Sequence, residues 1–325
     1  MKLRRPFAAL LGLGLLAAVL GVLVAAPSAQ GRRTAPTALD RVAEWGVWKA
    51  RAGHVTSLDE LTAELPRFVH RGPAAQPVQG VVPVPDQPVI ALKPVLYLYA
   101  SRPTPVQVRV GLPVGGETLH YPAATTAGGG LLFSGRLPAV GASLARARPL
   151  PPVPSGHFWN DLRQVPASIF TNDAGESERF IFYDGLTDLT APFTFYGAGE
   201  HGSVSARRGR VVQAGIPDVV YAVHRGMVRR VVVAPDSTSP TPIASAQEQP
   251  IRMLEGELQS QLRARGLTVA EAQSLLATWH HDLIEAPGDR RIYFLDRADY
   301  DRMLPLTITP RPSQLVRVGL VIELP

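Results

Sequence analysis

The chain has 325 residues, 46% of them apolar and only 18% charged, which excludes a chain disordered along its length. It has no cysteine, so disulfides, thiol catalysis, Cys-ligated metals and a lipoprotein anchor are all excluded. The formal charge is +6, but Lys2, Arg4 and Arg5 lie at the very start; the remainder carries 30 basic and 27 acidic residues, scattered, and nucleic acid is excluded as a partner.

A basic start followed by an uncharged Leu/Ala/Val-rich run over residues 7–26 predicts an export signal. The run is also about as long as a membrane span requires. Two outcomes therefore compete for residues 1–28: cleavage after Ser28 or Ala29, or retention as an N-terminal anchor with the basic end cytoplasmic. Arg4-Arg5-Pro6-Phe7 matches part of a twin-arginine signal, whereas the Leu-rich run suits general secretion. The expected location is periplasmic, extracellular or inner-membrane anchored.

Residues 29–88 read as a leader with two short helices and a proline-rich linker. Thr37-Ala38-Leu39-Asp40 has the form of a capping box, and Leu39, Val42, Trp45 and Trp48 follow at helical spacing. Ser57-Leu58-Asp59-Glu60 opens the second helix, with Leu58, Leu61 and Leu65 on one face. Residues 89–234 read as a β-rich domain. Val95 to Tyr99 is an apolar strand, and Val106, Val108, Val110 and Leu112 alternate with polar or small residues, as in a strand with one wet face. Arg179 to Tyr183 and Phe193 to Tyr196 are further strands, and Val219 to Val233 forms a hairpin about His224-Arg225-Gly226.

Residues 235–250 read as a second linker and 251–285 as a helical hairpin. Its first helix places Leu254, Leu258 and Leu262 on one face and ends at Gly266. Its second starts from a Thr268/Glu271 capping box and carries Val269, Ala272, Leu276, Trp279 and Leu283. Strands return over 286–325. The expected fold is mainly β: an antiparallel sandwich or barrel, with short N-terminal helices and the helical hairpin inserted before the last strands.

Three segments carry a resemblance. Lys93-Pro94-Val95-Leu96-Tyr97-Leu98-Tyr99, Glu178-Arg179-Phe180-Ile181-Phe182-Tyr183-Asp184-Gly185 and Leu304-Pro305-Leu306-Thr307-Ile308-Thr309-Pro310 resemble a family of uncharacterised secreted bacterial proteins. Ala100 departs from the proline usual there. The resemblance implies an envelope protein and brings no catalytic residues with it.

Two constellations are candidates for chemistry. His157, Asp161, Glu178 and Asp184 concentrate polar and acidic groups near Phe158 and Trp159, the mixture that binding pockets and paired-carboxylate hydrolases use. Structural turns and pairing with Arg163 or Arg179 would explain the same residues. His280, His281 and Glu285 are the most metal-like group. On an ideal helix, however, His280 points about 100° away from His281, so one ion is not easily shared. The alternative is a helix end whose His and Trp shield the core. No HExxH, Gly-x-Ser-x-Gly, phosphate-loop or dinucleotide pattern occurs, and no cofactor is expected. The leading expectation is a non-catalytic binding module for an unknown envelope component, with membrane contact through residues 7–26. The rival is an envelope hydrolase using the carboxylates of 157–188 or a metal near 280–285.

Overall fold

The computed structural model describes residues 39–51, 65–72, 89–91, 94–113, 117–126, 128–138, 149–189, 191–197, 201–209, 215–235 and 239–324. The apolar run of 7–26 and the expected helix opened by Ser57 lie outside them. No helix among the described residues is long and apolar enough to cross a membrane.

The main strands are β1 (Arg41–Arg51), β2 (Val95–Tyr99), β3 (Thr104–Gly111), β4 (Glu117–Tyr121), β5 (Gly130–Leu137), β6 (Ile181–Asp188), β7 (Asp218–His224), β8 (Met227–Val233), β9 (Arg290–Phe294), β10 (Leu306–Thr309) and β11 (Gln314–Leu324). The helices are α1 (Trp159–Arg163), α2 (Leu254–Ala264), α3 (Val269–Thr278) and α4 (Arg297–Met303). A large sheet runs in the order β8-β7-β9-β11-β1-β2-β6-β4, with short strands at both ends. A smaller sheet contains β5-β3-β10, and a third joins Phe193–Tyr196 to Ser203–Ala206.

Two apolar layers result. Val42, Trp48, Leu96, Leu98 and Val321 of the large sheet pack against Val106, Val108, Phe133 and Ile308 of the smaller one, which makes a β-sandwich. The opposite face, with Ala43, Trp45, Tyr97, Phe182 and Leu320, is covered by Trp159, Leu258, Leu262 and Leu275 of the helices. The alternation expected in β3 is realised, since its residues are buried and exposed in turn from Thr104 to Val110.

Residues 41–51 form a strand where the spacing predicts a helix. β1 is central, antiparallel to β2 and parallel to β11 over its whole length. Val42 and Trp48 enter the sandwich layer while Ala43, Trp45 and Val47 enter the helix layer. A strand buried on both faces shows no alternation, and Val42, Trp45 and Trp48 imitate a helical period. Gly46 stands opposite Gly319 in this pairing. A Cβ on Gly319 would meet Leu295 Cδ1 at 2.9 Å and Trp48 Cζ3 at 3.0 Å, so the glycine makes room for the indole.

The β7–β8 hairpin turns on Arg225 (φ 48°) and Gly226 (φ 76°), the positive pair that a two-residue hairpin favours. Within the stretch read as a linker, Glu248–Pro250 pairs with β8 and Ile243 is buried. The helical hairpin forms as expected: Gly266 ends its first arm at φ 101°, and Thr268 and Glu271 close a complete capping box. The C-terminal strands return to both sheets, β9 and β11 to the large one and β10 to the small one.

Candidate functional site

The His157–Arg163 segment is a short helix rather than a loop. His157 Nδ1 accepts from Trp159 N–H at 3.1 Å at its start, and Trp159 is fully buried between Phe180 and Phe182. Glu178, fully buried, accepts from Trp159 Nε1 (2.9 Å), from Arg163 Nη2 (2.6 Å) and Nε (3.1 Å), and from Arg179 N–H (2.9 Å). These donors occupy both of its oxygens, and the cluster ties α1 to the sheet. Asp161 is half-buried in the first turn of α1. Asp184 is buried in β6, where its Oδ1 accepts from Gly185 N–H at 2.7 Å and the β6–β4 register shifts. None of the cavities described below is lined by these four residues.

His280, His281 and Glu285 do converge. Residues His281–Glu285 form a π-helical turn, and this departure from α geometry brings both rings to one carboxylate. His280 Nε2 lies 3.5 Å from Glu285 Oε1, His281 Nδ1 3.4 Å from Glu285 Oε2, and His280 Nδ1 4.0 Å from Glu255 Oε2. These contacts are made by exposed side chains. Among the described residues no group of three or more His, Asp or Glu side chains is arranged to hold a metal ion.

The structure adds a buried charge cluster. Glu44 on β1 and Arg317 on β11 stand opposite each other in register, and both side chains are sealed in the sandwich layer. Glu44 accepts from Arg317 Nε and from Tyr183 OH. Arg317 lies over the Tyr300 ring at 4.2 Å and donates through Nη1 to Asp301 at 2.7 Å. Burial raises the Tyr183 and Tyr300 phenols well above their usual range, and Glu44 adds to it. Burial pulls the Arg317 guanidinium down, but Glu44, Tyr300 and Tyr183 together outweigh it and the net shift is upward. A signal for this pair exists in the sequence: one lone acid in Val42–Trp48 and one lone base in Leu315–Ile322, two otherwise apolar strands.

Two further carboxylate networks hold surface elements. Glu176 receives His70 Nε2 (2.8 Å) and Asn172 Nδ2 (3.2 Å), and His224 Nδ1 pairs with Asp289 at 2.8 Å. A cleft of about 620 Å³ lies between the end of α2, the start of α4 and the first half of β11. Phe294, Val316 and Val318 form its apolar wall; Arg297 and Asp301 form the polar one. A second groove, about 510 Å³, crosses the end of β3 and β5 and is shallower in character, with Pro105 and Pro310 on its walls.

Comparison of the chain with family models, with curated proteins and with solved structures gave no match.

Proposed function

We propose that this chain is an exported cell-envelope protein whose folded part binds a partner and does not turn over a substrate. The saturated state of Glu178 carries this reading. A general acid or base must exchange a proton with substrate, and a nucleophile must reach it. Glu178 is fully buried and holds Trp159, Arg163 and the Arg179 amide instead. Asp184 is likewise buried against its own strand. The basic start, the apolar run of 7–26 and the resemblance to secreted bacterial proteins support export.

Two measurements test the reading. Residues 1–40 fused to a phosphatase that is active only after export should give active enzyme outside the cytoplasm. Purified protein should hydrolyse none of a panel of chromogenic esters, glycosides and phosphates, and Glu178→Gln should lower the melting temperature. Turnover that disappears in Glu178→Gln or Asp184→Asn while the melt stays unchanged would make the protein a hydrolase.

A further inference from the structure

β11 is paired unevenly. On one side β1 accompanies it from Gln314 to Leu324. On the other, β9 pairs only with residues 320–323, and Leu295 N–H donating to Gly319 O at 2.9 Å closes that ladder. The chain then leaves the sheet at Asp296 and enters α4. Among the described residues no strand pairs with Gln314–Val318 on that side.

The direction of the main-chain groups follows from the pairing. In a parallel ladder one residue directs its N–H and C=O to the neighbour and the next directs them away. Gln314 N–H donates to Asp40 O at 3.1 Å, so Gln314, Val316 and Val318 serve β1. Leu315 and Arg317 then present their main-chain groups to the cleft, and Arg297 Nη1 meets Leu315 O there at 3.4 Å. Leu315 N–H and the main-chain groups of Arg317 have no strand beside them among the described residues, and such a row is a template for another strand, which would take Leu315 O over from Arg297.

From this geometry we infer that Gln314–Val318 is a docking edge for an extended peptide segment with alternating apolar and polar side chains, added as a further strand. The inference rests on the binding reading above and names its partner. The walls define the alternation. Residues directed to the helix side meet Phe294, with Arg265 stacked on its ring at 3.9 Å, and Val316. Residues directed to the sandwich side meet Arg297 and Asp301, which pair with each other at 2.8 Å. The cleft joins arginines to aspartates in balance, so it offers no net field for a polyanion or a polycation. What it offers is hydrogen-bonding groups at strand spacing, and a peptide main chain supplies their complement. The edge is interior to the sheet and flanked by α2 and α4, which limits indiscriminate strand pairing.

Amide hydrogen exchange on the full chain tests the edge directly. Leu315 and Arg317 should exchange about a hundredfold faster than Val316 and Val318, although all four lie in one strand. An acetylated heptapeptide of alternating valine and threonine should slow Leu315 and Arg317 by about tenfold or more. N-methylation of the peptide at alternate residues should abolish that protection in one phase and spare it in the other. Ala298→Arg, which fills the cleft without touching β11, should abolish it with the melt unchanged. The inference is overturned if Leu315 and Arg317 are already as slow as Val316 in the free protein. It is also overturned if the peptide gives no protection at about 1 mM, or if protection survives N-methylation in both phases. None of these outcomes bears on export, and failed export leaves the edge as it is.

Discussion

The two faces of the large sheet use charge in different ways. In the sandwich layer Glu44 and Arg317 are sealed, with side chains 0% and 1% exposed, and sit opposite each other on adjacent parallel strands. On the helix side the Arg41–Glu271 pair lies at the rim, with Arg41 15% exposed, and bridges β1 to the start of α3. Glu271 also accepts from Tyr99 OH at 2.6 Å and closes its own helix cap. The rim pair thus joins separate elements, with Glu271 as fully buried as Glu44 and only its arginine reaching solvent. The sealed pair joins neighbours that already pair, so its stabilising value is small. What it contributes is register: a slip of one residue would put Glu44 in the helix layer and leave Arg317 without it.

Alkali should have the largest effect, and on both faces, since burial also raises Tyr97 and Tyr121 on the helix side well above their usual range. Burial raises Tyr183, Tyr293 and Tyr300 far above 10, with Glu44 and Glu323 adding to it, whereas burial and then Glu257 push Tyr221 on the helix face up to about 12. These groups are protonated in the native state at a pH where the unfolded chain releases its protons. Their stabilising contribution is complete below pH 10 and declines above it, by about 1.4 kcal/mol per pH unit for each phenol. The Tyr221 part should level off near pH 12, and the part from Tyr183, Tyr293 and Tyr300 of the sandwich layer and from Tyr97 of the helix face should continue to fall. Denaturant melts at stepped pH, with Tyr221→Phe as the control, measure both. A stability that stays flat from pH 9 to about 12 would show that the phenols are solvated.

Breaking the sealed pair comes next. Arg317→Met leaves Glu44 buried without its cation and should cost about 3–5 kcal/mol. Adding Glu44→Leu should recover much of that, because an apolar pair needs no compensation in this layer. A single variant costing below about 1 kcal/mol would mean that water reaches Glu44. No recovery in the double variant would mean that Tyr183 and Tyr300 depend on the carboxylate more than the ion pair does.

Most strands of this architecture are readable in the sequence, and its central one, β1, is not. β3 alternates because one of its faces is wet, and the helical hairpin carries its cap and its terminating glycine in plain view. β1 lies at the middle of the sheet with both faces covered and has no alternation to read, whereas its neighbours β2 and β11 are legible as apolar strands. The parallel pairing of β1 with β11 joins residues more than 260 positions apart, and local pattern does not reach that far. α4 was missed because it is a single short helix among strands. Of the candidate groups, Glu178 and its partners Arg163 and Arg179 are legible in the sequence, whereas the convergence of His280 and His281 on Glu285 is not, because a π-turn is invisible to helical spacing. The cleft beside β11 depends on where β9 ends its pairing, which is tertiary information.

On the helix face the apolar anchor should matter about as much as the sealed ion pair does on the other. Trp279 is 5% exposed and packs in the layer formed by α2, α3 and the sheet. Trp279→Ala should cost about 3–5 kcal/mol in denaturant melts. A cost below about 1 kcal/mol would mean that the hairpin tolerates the void by closing over it, and that the face is softer than the sandwich layer.

The smallest effect tests how the rim pair divides its work. Thr268 Oγ1 accepts from Glu271 N–H at 3.2 Å, while Glu271 Oε2 accepts from Thr268 N–H at 2.8 Å. Thr268→Ala removes the first of these and leaves the second, because that donor is main chain. Glu271 keeps Arg41 and Tyr99 as well, so its carboxylate stays where it is. The cost should therefore be that of one lost cap, about 1 kcal/mol. Glu271→Ala removes the reciprocal half of the cap, leaves the Tyr99 hydroxyl without its acceptor and leaves Arg41 only the Gly266 carbonyl, so it should cost clearly more. If the two substitutions cost the same, the bonds to Arg41 and Tyr99 add nothing beyond the cap. The rim pair would then be a consequence of the hairpin's position and not a cause of it. If Thr268→Ala is the more damaging, the order of dependence runs from cap to carboxylate. Measured together with the double variant, the three melts place the coupling between cap and ion pair on one scale.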